Sequence, residues 1–459
     1  MNLEEFLIYL HNGAFTSAKF LFTDCLSVAD LKNLRLVCRN LDLVATSYPI
    51  VTRLFMSSHQ ADLEAFEGIT KNKRLARHVQ LIIWDHSVYN LLLLHQNLYL
   101  EYPRVEEAEK SDKHKQRITQ ARKMWARLAK QQQRILVNDS DLKAFSTALP
   151  SLTSLNNIRL TRLEFACQCC CGCMSPAQRQ WFNIPKKLRK YLEEPHDEMC
   201  LMVHDKWFPC RIVYDHPELF YTVFPSLPTA DIWSSVAFRG LKCLAANLET
   251  PLPNLRLLSL DAHPSDVFSG SSQEMAFLKT AIGSLDCFRL SAFRSGAQIL
   301  IAPFRDLMSS ARNLTSLCLH FAKGPWAPTI SSPVRLLTKV PPASFPKLAT
   351  LCIKGPDATL KDLTDLAQWC GEAAIGTLYL GCFHLSKDAW MDVLEAWKQE
   401  GSLKHLDTIY IHDVSDIHVA RGRGRTLQIL GSYSSADEDA VVDFLNGDGD
   451  YPLLEDMFF

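Results

Sequence analysis

The clearest order in the chain is a short apolar pattern that keeps returning. L-x-x-L-x-L, with isoleucine or phenylalanine allowed, occurs as Leu155-Ile158-Leu160, Leu255-Leu258-Leu260, Leu285-Phe288-Leu290 and Leu314-Leu317-Leu319. It continues as Leu348-Leu351-Ile353, Ile375-Leu378-Leu380 and Leu406-Ile409-Ile411, with a weaker copy at Val79-Ile82-Trp84. From Leu255 onward, successive copies start 30, 29, 34, 27 and 31 residues apart. The second half of each copy alternates apolar and variable positions, the period of a half-buried strand. Its leading residue packs under that strand from the preceding turn. Between copies the period turns helical: Leu363, Leu366 and Trp369 share one side, as do Trp390, Val393, Leu394 and Trp397. One strand and one returning helix cannot bury their own apolar faces, so neighbouring units must stack. The predicted class is α/β, with a curved parallel sheet.

This pattern resembles the leucine-rich repeat, in an irregular form that makes a solenoid. The asparagine or cysteine usual three residues past the last leucine is missing. His263, Phe293, Ala322, Pro356 and Phe383 stand there instead, so no side-chain ladder at that place can satisfy the turn backbones. The variable strand positions are the candidates for holding a target: Ser259, Arg289, Ser316, Lys354, Tyr379 and Tyr410.

Ahead of the repeats, Ser27-Val28-Ala29-Asp30 opens an apolar run at Leu31, Leu34, Val37, Cys38 and Leu41, spaced as one helical face. Ser27 suits an N-cap, with Asp30 in the capping-box place. The stretch from Leu26 to Leu41 resembles the F-box motif, a Leu-Ser-hydrophobic-x-Asp-Leu turn followed by a Leu-x-x-Val-Cys-Arg-x-Leu helix. The family's opening Leu-Pro is replaced by Phe15-Thr16. Residues His59 to Phe66, Arg74 to Val79 and Asp141 to Leu152 look like the linker of the F-box repeat proteins of filamentous fungi. The likeness covers the start of the chain to about residue 165, and about 250 to 415. It implies a substrate-recognition subunit of an SCF-type ubiquitin ligase. Leu26, Leu31, Leu34, Val37, Cys38 and Leu41 would meet the adaptor linked to the cullin, and the repeats would capture an unknown protein substrate.

Composition narrows the remaining choices. Over 459 residues, 47% hydrophobic and 22% charged content is that of a globular chain, and Lys+Arg 49 against Asp+Glu 50 gives a net charge of -1. The overall balance therefore does not point to nucleic acid. The opening Met1-Asn2-Leu3-Glu4-Glu5 has no basic region, so no secretory signal is expected, and no apolar run is long enough to span a membrane. Fifteen cysteines, mostly single, suggest reduced thiols in a cytoplasmic or nuclear protein. Two stretches carry local chemistry. From Lys110 to Arg134 nine basic residues face one acid, on a segment whose Ile118, Ala121, Trp125, Leu128 and Ile135 form an apolar stripe. A packed helix with solvated charges is preferred there to a nucleic-acid surface. An insertion at 166–250 holds Cys167, Cys169, Cys170, Cys171, Cys173, His196, Cys200, His204, Cys210 and His216. It lacks the paired knuckles of a zinc finger, so no metal site is assigned.

No nucleotide-binding, hydrolase or metalloprotease motif occurs, and no catalytic residue or cofactor is assigned. The expected organisation is a helical module at 1–58, a helical linker with the first weak repeat at 59–154, repeats at 155–415 and an acidic tail at 416–459. The expected function is target capture for a ubiquitin ligase. A repeat scaffold with no tie to ubiquitin is the alternative, ahead of a zinc- or nucleic-acid-binding protein.

Overall fold

A computed structural model of the chain describes residues 51–86, 112–161, 175–182, 239–247, 252–262, 272–293, 301–322, 332–355, 357–381, 384–385, 390–401, 403, 406–412 and 415–416, with Asn33, Leu36, Val37 and Arg39. The chain divides into two compact units, one from residues 1–232 and 249–254, the other from 233–248 and 255–459.

In the first unit, strands β1 (Arg53–Ser57), β2 (Leu81–Asp85) and β3 (Asn157–Thr161) pair in parallel. Around them stand helices α1 (Gln60–Thr70), α2 (Lys73–Ala76), α3 (Asp112–Val137), α4 (Ser140–Ala148) and α5 (Pro176–Phe182). Helix α1 packs on β1 and meets α3, α4 and α5. The aromatic core is Trp84 against Phe145 at 4.9 Å and Phe66 against Phe145 at 6.3 Å between ring centroids. Strand β1 lies within the residues that the sequence assigns to the helical module. Its copy, Val51-x-x-Leu54-x-Met56, has the repeat form and starts 28 residues before Val79 (79 − 51).

The second unit opens with α6 (Arg239–Ala246) and then alternates strand and helix: β4 (Leu257–Ala262), α7 (Ser272–Ser284), β5 (Cys287–Phe293), α8 (Ile301–Met308), β6 (Ser316–Ala322), α9 (Pro333–Leu337) and β7 (Thr350–Lys354). It continues with β8 (Asp357–Ala358), α10 (Leu360–Glu372), β9 (Thr377–Gly381), β10 (His384–Leu385), α11 (Trp390–Glu400), β11 (Thr408–His412) and β12 (Ser415–Asp416). Strands β4, β5, β6, β7, β9 and β11 pair in parallel in that order, and each helix packs on the next. The α/β class and the parallel strands expected from the sequence are thus present.

The physical basis is a repeated burial. In the eight copies from Val79 onward the three pattern positions are at most 5% exposed, so each apolar side chain is removed from water as the alternation predicts. The backbone is held just as regularly. The carbonyls of Thr52, Gln80, Arg256, Asp286, Thr315, Ala349 and Gly376, each one residue after a leading apolar position, accept two N–H groups from the next strand's approach at 2.8–3.1 Å. Two turn-side asparagines add to this, Asn254 donating to the Thr153 carbonyl at 2.9 Å and Asn313 to the Gly283 carbonyl at 2.7 Å. Beyond the strands, β8, β10 and β12 form a small parallel sheet of their own.

Successive helices of the second unit are tied by polar groups. Trp369 Nε1 donates to the Val340 carbonyl at 2.8 Å and Trp397 Nε1 to the Leu363 carbonyl at 3.0 Å, which satisfies both buried indoles. Thr359 and Asp362 form a capping box at the start of α10. Arg335 from α9 grips the same carboxylate at 2.8 and 2.9 Å. Burial alone would raise the Asp362 carboxyl, but the Arg335 and Thr359 hydrogen bonds outweigh it and hold the group below the usual carboxylate range. Helix α10 ends in a Schellman turn: Ala374 donates to Gly371 and Ile375 to Cys370, with Ala374 at φ 54°.

Two stability outcomes follow from this packing. Replacing Leu317 by alanine empties a fully buried site and should cost about 2–5 kcal/mol, whereas Ser316→Ala next to it should change stability by under about 0.5 kcal/mol. Urea titration of both variants checks the strand's facing, and equal losses would contradict it. Ala374→Gly, which removes a Cβ from a left-handed position, should raise stability by about 1 kcal/mol, seen as a higher urea midpoint.

Candidate functional site

The candidate site is the strand face of the second unit that does not carry the leucine pattern. Pairing in register lines up Ser259, Arg289, Cys318, Cys352, Tyr379 and Tyr410 as one row crossing six strands. A second row holds Cys287, Ser316, Thr350, Thr377 and Thr408, and a third Ser291, His320, Lys354 and Gly381. The six residues expected to hold a target all share this face. Four lie in the central row and Ser316 and Lys354 in the rows on either side. Arg289 is exposed, and Ser316, Lys354, Tyr379 and Tyr410 are partly exposed. Ser259 must be withdrawn, because its short side chain beside the long Arg289 is only 4% exposed and offers a target no surface.

The row has graded chemistry. At one end the rings of Tyr379 and Tyr410 stack at 4.2 Å between centroids with 1° between planes, giving a flat aromatic plate with two phenol groups. At the other end Arg289 is beside Cys318. Between them Cys318 and Cys352 are neighbours in register and share a thiol–thiol hydrogen bond. Accepting that bond brings the Cys352 thiol down to about 7 against the effect of burial, with Lys354 and Arg289 helping. The same bond and burial push the Cys318 thiol up. Sequence reading missed both cysteines.

The first unit holds the other concentration of polar side chains. Ser57, Asp85 and Thr161, in register at the ends of β1, β2 and β3, are at most 1% exposed. The Ser57 hydroxyl donates to Asp62 Oδ2 at 2.7 Å and lies 3.0 Å from His59 Nδ1, and the His59 backbone N–H donates to Ser57 Oγ at 3.1 Å. Gln132 Nε2 lies 2.9 Å from Ser58 Oγ and 3.2 Å from His59 Nε2, and the Ala177 N–H donates to Asp62 Oδ1 at 2.7 Å. With Gln132 donating to Nε2, the imidazole proton sits on Nδ1 and is given to Ser57. The residue types are those of a hydrolase trio, but the serine proton points to the aspartate and not to the histidine, and the group is sealed from solvent. It fastens β1 to α1, α3 and α5. Burial lowers His59 from 6.5 to about 3, so it is held neutral. Burial raises Asp62, although the bonds from Ser57, Ala177 and Ser175 oppose it.

The remaining expectations can be placed briefly. Of the adaptor-facing residues, Leu26, Leu31, Leu34, Cys38 and Leu41 lie outside the described residues. Val37 is described, in a turn with Leu36, at 68% exposure. The basic segment is helical as α3, with Lys123, Arg127, Lys130 and Arg134 exposed and Leu128, Ala129, Gln132, Ile135 and Leu136 buried. These four charges thus sit on the solvent side of the packed helix, while the other basic side chains and those of Ile118, Ala121 and Trp125 lie outside the described residues. So do the insertion's cysteines and histidines from Cys167 to His216. Among the described residues no group of three or more His, Cys, Asp or Glu could hold a metal ion, and no helix is long and apolar enough to cross a membrane. Compared with known protein families and with curated proteins, the sequence matches none.

The buried imidazole makes the first unit acid-sensitive. Its folded value lies below the unfolded one, so stability is intact above pH 6.5 and is lost as pH falls toward 3, at about 1.4 kcal/mol per pH unit. The raised Asp62 acts in the opposite sense, so a variant and not the absolute slope isolates His59. Between pH 6.5 and 5 the wild type should lose about 2 kcal/mol more than His59→Asn, measured by urea unfolding. Parallel pH profiles would exclude a neutral buried His59.

Proposed function

We propose that the chain is a non-catalytic receptor that holds a target protein on the strand face of its second unit. From the F-box resemblance of Leu26 to Leu41, we further propose that it presents this target to a cullin-based ubiquitin ligase in the cytoplasm or nucleus. The observation that carries the receptor reading is the row from Arg289 to the Tyr379–Tyr410 plate. Tyrosine and arginine are the residue types that concentrate binding energy at protein interfaces, and here they sit on a rigid parallel sheet. On this reading the chain needs no cofactor. Chemistry belongs to other subunits, and the receptor supplies proximity by holding the target's lysine near a thioester.

The rival reading is a repeat scaffold that uses the same face but has no link to ubiquitin. Binding of the intact chain to the purified cullin-linked adaptor separates the two. Adaptor binding should be weakened at least about thirtyfold by Leu34→Asp with Leu41→Asp, as loss of a hot spot of about 2–4 kcal/mol requires. Absent binding, or binding that ignores the double change, would favour the scaffold. In the same preparation Tyr379→Ala with Tyr410→Ala should leave adaptor binding intact while removing proteins that co-purify with the wild type under proteasome blockade. An unchanged set of co-purifying proteins would rule out the tyrosine plate as the contact.

A further inference from the structure

We propose that Cys318 and Cys352 are a modification site: a peroxide-sensitive dithiol that closes into a disulfide between β6 and β7. The two cysteines hold the same place in consecutive repeats, each four residues after its leading leucine, Leu314 and Leu348. Register makes them direct neighbours on paired parallel strands. Such strands lie about 4.8 Å apart, inside the Cα separation of about 4.4–6.8 Å that a disulfide accepts. Both side chains are partly exposed on the open face, so a small oxidant can reach them. Arg289 beside Cys318 and Lys354 two residues past Cys352 supply the positive surroundings that favour a thiolate.

Other described thiols lack this combination. Cys243 and Cys370 are buried, and burial pushes the Cys370 thiol up, away from reactivity. Cys287 is partly exposed, but its in-register neighbours, Leu257 and Ser316, have no sulfur to close a bridge.

The oxidant is hydrogen peroxide and the sequence of bonds is balanced. The Cys352 thiolate attacks one peroxide oxygen, the O–O bond breaks, and the hydroxide released takes a proton to leave as water. Cys352 is then a sulfenic acid. The Cys318 sulfur attacks the Cys352 sulfur, the S–O bond breaks and a second water leaves. Two thiols have given up two electrons in total, and the peroxide has been reduced to two waters. Cys352, on the same strand as Lys354, is assigned as the attacking sulfur, and Cys318, its neighbour in register, resolves. The proposal does not depend on what the face binds.

The intact chain tests it without any substitution. Trypsin releases Cys318 on the peptide Asn313–Lys323 and Cys352 on Leu348–Lys354, each with a single cysteine. After treatment with hydrogen peroxide these two peptides should appear joined, and dithiothreitol should separate them. Before oxidation, iodoacetamide at neutral pH should label Cys352 at least about tenfold faster than Cys370. Cys318→Ser should leave a sulfenic acid on Cys352 that dimedone traps. Recovery of both peptides as free thiols, over-oxidation of Cys352 with no joined species, or a bridge from Cys352 to any other cysteine would overturn the assignment.

Discussion

Each unit is organised by one carbonyl per repeat that accepts two N–H groups from the next. That pair of bonds fixes where the following strand begins, and the leading apolar residue beside it, buried under the strand, prevents slippage. A one-residue slip would turn three buried side chains outward in every repeat, so register is strongly specified. Because register is fixed, equivalent positions of successive repeats stand side by side. The site is a consequence of that alignment: a row of side chains can act together only if the strands are in step.

This also explains which parts of the molecule could be read from the sequence. The pattern of three apolar positions was legible because all three are buried in each of the eight copies from Val79 onward. The first copy was overlooked because Val51 is only partly buried and stands at the edge of the segment assigned to helices. The target-facing residues were legible as a face but not as a row. Ser259, Arg289, Tyr379 and Tyr410 all lie four residues past their leading position, whereas Ser316 lies two past and Lys354 six. Holding the count at four throughout would have named Cys318 and Cys352. The Ser57–His59–Asp62 network was less accessible to such reading, since its fourth anchor, Ala177, is 115 residues away from Asp62 and no periodicity connects them.

The two units use the same geometry for different ends. Six residues past the leading position, the first unit has Ser57, Asp85 and Thr161, all sealed from water. At the equivalent place the second unit has Ser291, His320 and Lys354, all partly exposed. In the first unit, α5 reaches the polar cluster through Ala177 and the polar groups are consumed in holding elements together. Buried polar groups must be satisfied internally, so such a cluster has no bonding capacity left for a ligand. In the second unit the corresponding side chains are instead open to solvent in part. That difference, and not residue type, separates the structural cluster from the candidate site.

The central row has a definite size, which restricts what can lie on it. From Arg289 to Tyr410 it crosses β5, β6, β7, β9 and β11, four strand spacings of about 4.8 Å each, or roughly 19 Å. An extended segment of about six residues covers that length. Its anchors would fall at the two ends, an acidic group over Arg289 and an apolar or aromatic group on the tyrosine plate, with the two thiols under its middle. Since a hot spot is most effective when water is excluded around it, the stacked tyrosines have an advantage over Arg289. Their flat surface already satisfies the geometric requirement before a partner arrives, and two rings that stack on each other lose little rotamer freedom on binding. An arginine on the open strand face must instead be partly desolvated at that moment. On the proposed receptor reading, the aromatic end of the row would concentrate affinity and the basic end would set orientation.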